Sequence, residues 1–407
     1  MLEIAGGTYL EYCSEPQWSQ LYGSGLRAAA ALSRLSKEIV LHTYISKQDK
    51  RSLEVTANTF GFDVLSKGIL RTVSFSYRHG LSEPEIDRGI GPTDKLEPHR
   101  IEAKNILRFG FMEQEAIVNG ERVVYDPQSI QSPKEFRGNG STAKHLAIVA
   151  NLHEGSKLTG ETDAVKIART LISKQNAEVV IIKRGPFGAM VFTKRGVVSS
   201  IPPFKTDFVW PIGSGDVFAA VFAHYWTEKE INPVKASYLA SQATAIYCNS
   251  QSLPIPSNFS SNFRFEPLNI GKKKLGKQTL GKKVYLAGPF FTMAQRWLMN
   301  EARIYLESLG FQVFSPFHDV GIGAAVDVVP LDIKAINKSD IVFTIAEGLD
   351  AGTMFEIGYA RAKGIPVVIF VQNEKEENLK MPQGTKCLIT DDFVTGIYKT
   401  FWFAVES

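Results

Sequence analysis

Three acidic residues near the carboxyl end of the chain, Asp332, Asp350 and Glu356, stand where the pattern predicts strand ends or helix starts. The run Asp350-Ala351-Gly352-Thr353-Met354-Phe355-Glu356 reads as a tight turn entering a helix, with Glu356 in the first or second turn. There the unpaired amides and the helix dipole favour an ionised carboxylate and keep it available as a nucleophile at neutral pH. Gly352 and Gly358 allow close approach of backbone. Retaining cleavage of a glycosidic bond needs one carboxylate to attack the anomeric carbon and a second acid to serve the departing group. Glu356 suits the first role, and Asp332 or Asp350 the second.

A second place with chemical potential is Gly213-Ser214-Gly215-Asp216, which opens the helical run Val217-Phe218-Ala219-Ala220. Small residues before a helix let backbone amides face an anion, and the helix start adds partial positive charge for a phosphoryl group in transfer. Asp216 then sits where a base takes a proton from a hydroxyl.

Two alternating patterns must position these residues. In the first, Ile39 to Ile45, Leu146 to Ala150 and Val179 to Lys183 are expected as buried strands, and Leu26 to Leu35, Ala164 to Lys174 and Val217 to Thr227 as helices. Such alternation argues for a doubly wound parallel α/β sheet. Between Thr72 and Asp126, short polar-alternating runs around Pro84, Gly89 and Gly91 predict a small sheet standing off the main layer as a lid. In the second pattern, Val284 to Ala287, Gln312 to Phe314, Ile341 to Ile345 and Ile365 to Val371 are expected as strands. Ala294 to Leu309 and Gly352 to Lys363 are expected as helices, with Gly310 and Gly364 as C-caps. Ligands of such sheets bind beyond the carboxyl ends of the strands.

Composition shifts between the patterns, where Pro254, Pro256 and six lysines from Lys272 to Lys283 interrupt the periodicity. The expected organisation is a domain over 1–253, a solvated lysine-rich linker over 254–282 and a domain over 283–407. A formal net charge of +4, from 46 basic and 42 acidic residues, gives little reason to expect a polyanion, so no nucleic-acid partner is expected. Three scattered cysteines exclude a disulfide framework. The start Met1-Leu2-Glu3-Ile4-Ala5 lacks signal-peptide character and no apolar run is long enough to span a bilayer, so a cytoplasmic location is expected.

At Val284-Tyr285-Leu286-Ala287-Gly288-Pro289-Phe290-Phe291, Asp332 ahead of Ser339-Asp340, Asp350-Ala351-Gly352-Thr353 and Glu356-Ile357-Gly358-Tyr359-Ala360, the chain resembles the nucleoside 2-deoxyribosyltransferase family. The resemblance implies a flavodoxin-like fold and catalytic Glu356. It also implies substrate contacts from Tyr285, Gly288, Phe291, Asp332, Asp350 and Thr353, no cofactor, and a homo-oligomer. The family holds transferases and hydrolases acting on nucleosides or nucleotides, and the loop Ser315-Pro316-Phe317-His318-Asp319 bears on which.

The first domain resembles the PfkB-type, or ribokinase, family of sugar and nucleoside kinases at Tyr125-Asp126-Pro127, Asn151-Leu152-His153-Glu154, Lys183-Arg184-Gly185-Pro186-Phe187-Gly188 and Gly213-Ser214-Gly215-Asp216. This implies a ribokinase-like fold, ATP and magnesium, Asp216 as base, Gly213, Ser214 and Gly215 as anion hole, and Asn151 and Glu154 near the phosphates and metal. Trp210 and Ile212 depart from the family's Asp and Thr ahead of the anion hole. Arg27 stands where an Asn usually grips the acceptor, and a cationic five-donor side chain cannot reproduce an amide's contacts. Two readings follow. The chain is either a two-domain nucleoside- or nucleotide-processing enzyme with a kinase-like module, or a pseudokinase sensor joined to an N-glycosidase that acts on nucleotides or dinucleotides.

Overall fold

The computed structural model describes residues 1–89, 96–129, 132–270 and 281–406. Gly91 and the lysines of 272–277 lie outside the described residues. The chain forms two compact units, one of 1–206 with 210–267 and one of 207–209 with 268–407. The stretch expected as the start of the linker closes onto the first unit: Ile255 and Phe259 are buried, and the Ile255 amide donates to the Ala31 carbonyl at 3.1 Å. Among the described residues no helix is long and apolar enough to cross a membrane.

The first unit is built on a nine-stranded sheet. Its order is Val198–Ile201, Ala189–Thr193, Val179–Lys183, Thr142–Asn151, Ile117–Asp126, Arg100–Phe109, Leu2–Ala5, Ile39–Ser46 and Asp63–Ile69. All neighbours run parallel except around Ala189–Thr193, which is antiparallel to both. A four-stranded sheet of Trp18–Leu21, Leu10–Glu15, Ser74–His79 and Glu85–Asp87 stands apart as the lid. The lid therefore takes in an amino-terminal hairpin, while Arg100–Phe109 and Ile117–Asp126, expected within it, are central strands of the main sheet. Their first halves alternate buried and exposed residues and their last halves are buried on both faces. The alternation that suggested a lid marks strands whose amino ends have one wet face.

The second unit has five parallel strands in the order Gln312–Phe314, Lys283–Ala287, Ile341–Ile345, Val367–Phe370, Leu388–Thr390. Numbered along the chain this is 2-1-3-4-5, the flavodoxin-like arrangement, whose ligands lie at the switch point between the first and third strands. Gly310 and Gly364 have φ of 87° and 75°, the left-handed geometry that ends the helices Met293–Ser308 and Ala351–Ala362.

In the first unit the helix Gly23–Leu32 starts hard against the end of the strand Leu2–Ala5. A Cβ on Gly25 would come within 2.4 Å of the Gly6 carbonyl oxygen. Gly25→Ala is therefore expected to destabilise the chain by about 1–3 kcal/mol through overpacking, seen as a lower urea midpoint. An unchanged midpoint would show that the close approach is dispensable.

Candidate functional site

In the second unit the switch point is where the predicted residues meet. The strand Lys283–Ala287 carries Tyr285, and the helix Ala351–Ala362, which follows the strand Ile341–Ile345, carries Glu356 in its second turn. The Tyr285 hydroxyl donates to Glu356 Oε1 at 2.5 Å. Asp350 is the helix N-cap: its Oδ2 accepts from the Thr353 amide at 2.9 Å and the Thr353 hydroxyl at 3.1 Å. Thr353 is buried and tied to that cap. Gly288 follows the first strand with φ 155°, and a Cβ there would meet Met299 Sδ at 2.9 Å and Ile345 at 3.1 Å. Glycine is the residue that this positive φ and this close packing admit.

The loop after Gly288 is braced from the next helix. Gln295 accepts the amides of Phe291 and Thr292 at 2.9 Å, and Arg296 Nε donates to the Phe290 carbonyl at 2.9 Å. Phe291 is left 66% exposed. His318 pairs with Asn300 Oδ1 at 2.6 Å inside a helical turn, Pro316–Val320.

Electrostatics revises one expectation. The helix start was expected to keep Glu356 ionised, but Glu356 lies beyond the unpaired amides of the first turn, and burial lifts its pKa to about 7. The Tyr285 hydrogen bond works downward, and the charges of Asp332 and Asp350 work upward. Asp332, on the helix Ala325–Ile336, is itself raised by burial, and its Oδ1 is a buried oxygen with no protein partner. The structure thus gathers Tyr285, Asp332, Asp350 and Glu356 around one carboxylate.

In the first unit the predicted residues Gly213, Gly215, Asp216 and Glu154 line a cavity of about 510 Å³, whereas Ser214 and Asn151 are not among its lining residues. Gly213, at φ 76°, is the N-cap of the helix Ser214–Ala223, and Asp216 is buried in its first turn. Asp216 Oδ2 accepts from Arg27 at 2.6 Å, and Oδ1 accepts from Gln128. Arg27 is 1% exposed, donates also to Glu11, and lies over the Tyr22 ring at 5.1 Å. Burial pushes the Glu11 carboxyl upward, with Arg27 opposing. Asn151 and Glu154 satisfy each other in a capping box on the helix Leu152–Thr159, each contact 2.8 Å. Lys183 Nζ contacts Asp126 Oδ2 at 2.5 Å, in the field of Glu154 and Asp216 as well.

Lys183 supplies positive charge to those carboxylates. Among the described residues no group of three His, Cys, Asp or Glu side chains is placed to hold a metal ion, and a magnesium held by one or two carboxylates together with nucleotide phosphates needs none. Sequence reasoning missed Glu11 and Gln128 as partners of the Arg27 and Asp216 side chains. Gln128 follows directly on Tyr125-Asp126-Pro127, which was the available signal; Glu11 had none.

These are two α/β units, each with ionisable side chains gathered beyond its strand ends. Residues 117–256 match the pfkB family carbohydrate kinase model, and residues 284–388 match the nucleoside 2-deoxyribosyltransferase model. No curated protein matches the chain. Among solved structures, a fructokinase from Vibrio cholerae O395, bound to fructose, ADP and calcium ion, is 14% identical over 65% of this chain and 99% of its own, with a TM-score of 0.50. A ribokinase from Thermotoga maritima is 18% identical over 64% of this chain and 98% of its own, with a TM-score of 0.47. The first unit has the ribokinase fold. Both matched families are enzyme families. The kinase match begins after Glu11 and Arg27.

The Glu356 environment sets a pH dependence. The raised carboxyl is ionised only above about pH 7, so any step in which Glu356 attacks should quicken between pH 6 and 8. Tyr285→Phe removes a hydrogen bond that stabilises the ionised form, and should move that midpoint upward by about one unit, measured from pH–rate profiles of kcat/KM. A downward shift would contradict the assignment.

Proposed function

We propose that the chain is a nucleoside- or nucleotide-processing enzyme whose second unit cleaves or exchanges an N-glycosidic bond through a covalent glycosyl-Glu356 intermediate. The observation that carries this is the 2.5 Å hydrogen bond from Tyr285 to Glu356, a withdrawn carboxylate at the flavodoxin-like switch point. In the first step Glu356 bonds to the anomeric carbon as the carbon–nitrogen bond breaks, and the base leaves with the electron pair. The base takes its proton from Asp332 or Asp350; Asp332 has a buried oxygen with no protein partner, whereas Asp350 is committed to capping the helix, so Asp332 is the better candidate. Water or a second base then attacks the anomeric carbon, gives its proton to the aspartate that served as acid, and returns Glu356 as carboxylate. Gly288 and Phe291 would shape the base and sugar contacts. A homo-oligomer in the cytoplasm belongs to this reading, as does independence from a cofactor in the second unit.

For the first unit the resemblance supplies ATP and magnesium, with Asp216 as base, Gly213 to Gly215 as anion hole, and Asn151 and Glu154 at the phosphates. A second reading makes this unit a pseudokinase sensor or assembly module. The Arg27–Asp216 ion pair favours it, because the acid needed as a base is bound to a cation inside the protein.

Chromatography of bases released from a panel of nucleosides, nucleotides and dinucleotides tests the first claim. Glu356→Gln is expected to lower release by roughly a thousandfold or more. Release at the wild-type rate would remove the nucleophile.

A further inference from the structure

Arg27 and Lys183, beside the cavity of the first unit, are each paired with the unit's own acids. We propose that its cavity is a receptor for an uncharged ligand of nucleoside size, and that Arg27 prevents phosphoryl transfer there. This deepens the second reading above and rests on it.

Both oxygens of Asp216 are engaged, Oδ2 by Arg27 and Oδ1 by Gln128, so neither is presented bare to an incoming hydroxyl. Arg27 is held at its other end by Glu11. Its guanidinium also lies against Gly213: a Cβ on that glycine would be 2.1 Å from Arg27 Nε and 2.3 Å from Cζ. Arg27 thus crowds the Gly213 side of the helix start, while Gly213, Gly215 and Asp216 still line the cavity. Two amides of that turn are committed too, Ser214 to the Pro211 carbonyl at 3.0 Å and Asp216 to the Gly213 carbonyl at 3.1 Å. A phosphoryl group in flight would have to displace Arg27, at the expense of two ion pairs.

The cavity keeps the features of a binding site. Tyr9 and Phe75 form an aromatic wall, their ring centroids 5.2 Å apart, suited to a planar ring. Ser24 also lines it; its hydroxyl is buried, with no protein partner, and suits a ligand hydroxyl or amide. Among the described lining residues, Glu11, Glu83, Glu154 and Asp216 outnumber Arg27 and Arg88. That excess of negative charge opposes a phosphate and leaves a neutral, hydroxylated heterocycle as the matching chemistry.

The test uses full-length Glu356→Gln protein, so that bound nucleosides stay intact. Calorimetric titration with adenosine, uridine and thymidine, and with their 5′-monophosphates, is expected to reveal a nucleoside site at least tenfold tighter than for the matching monophosphate. Ser24→Val and Phe75→Ala should each weaken that site tenfold or more, with far-ultraviolet circular dichroism unchanged, while Tyr285→Phe leaves it alone. Incubation of wild type with ATP, magnesium and the bound nucleoside should yield no nucleoside monophosphate. Phosphorylated product, equal binding of monophosphates, or no binding sensitive to Ser24 or Phe75 would each overturn the proposal. Binding sensitive only to Tyr285 sinks this inference and spares the glycosyl reading. Normal binding at Ser24 with no base release by the wild type does the reverse.

Discussion

A carboxylate that is to capture an anomeric carbon must be withdrawn from water and must still part with its proton. Withdrawal alone would leave Glu356 neutral. Burial raises it, the neighbouring charges of Asp332 and Asp350 raise it further, and the Tyr285 hydroxyl at 2.5 Å works in the other direction. The balance falls near neutrality, where both protonation states are accessible without large cost. The rest of the second unit serves this balance. The 2-1-3-4-5 strand order sets the switch point, Gly288 lets the chain turn tightly against Met299 and Ile345 there, and the Asp350 cap fixes the helix on which Glu356 rides.

The first unit shows the same local device with the opposite outcome. There too an acid sits in the opening turns of a helix beyond the strand ends. Its partner is a buried guanidinium instead of a hydroxyl. A hydroxyl stabilises a carboxylate while leaving its charge available, whereas a buried arginine shared with Glu11 neutralises it and occupies the space in front of it. In the proposed receptor reading, Arg27 is the residue that holds the Asp216 carboxylate away from an incoming hydroxyl.

Much of this was legible in the residues because it is local. Val179–Lys183 and Ile341–Ile345 are short β-branched runs between turn signals, and the structure gives them the expected bounds. The helix carrying Glu356 follows from Asp350 and the glycine-containing turn. What could not be read was long-range. The hairpin Leu10–Glu15 with Trp18–Leu21 belongs to the lid through pairing with Ser74–His79, far along the chain. Arg100–Phe109 looked like lid because its wet half alternates. The partnership of Arg27 with Asp216 spans 189 positions, so sequence exposed the odd arginine but not its target. Likewise a place for Glu356 in the first or second helical turn was visible, while which of the two, and the depth of burial that sets its ionisation, was not.

The proposed chemistry requires one bond, between Glu356 and the anomeric carbon, to form. Intact-protein mass spectrometry, after brief exposure to a nucleoside carrying fluorine at the 2′ position to slow turnover, followed by peptide mapping, measures it. A covalent glycosyl-Glu356 intermediate gives a mass gain equal to the nucleoside less its free base, located on the peptide containing Glu356 and absent from Glu356→Gln. Base release without any such adduct, or with the sugar on another residue, would contradict it.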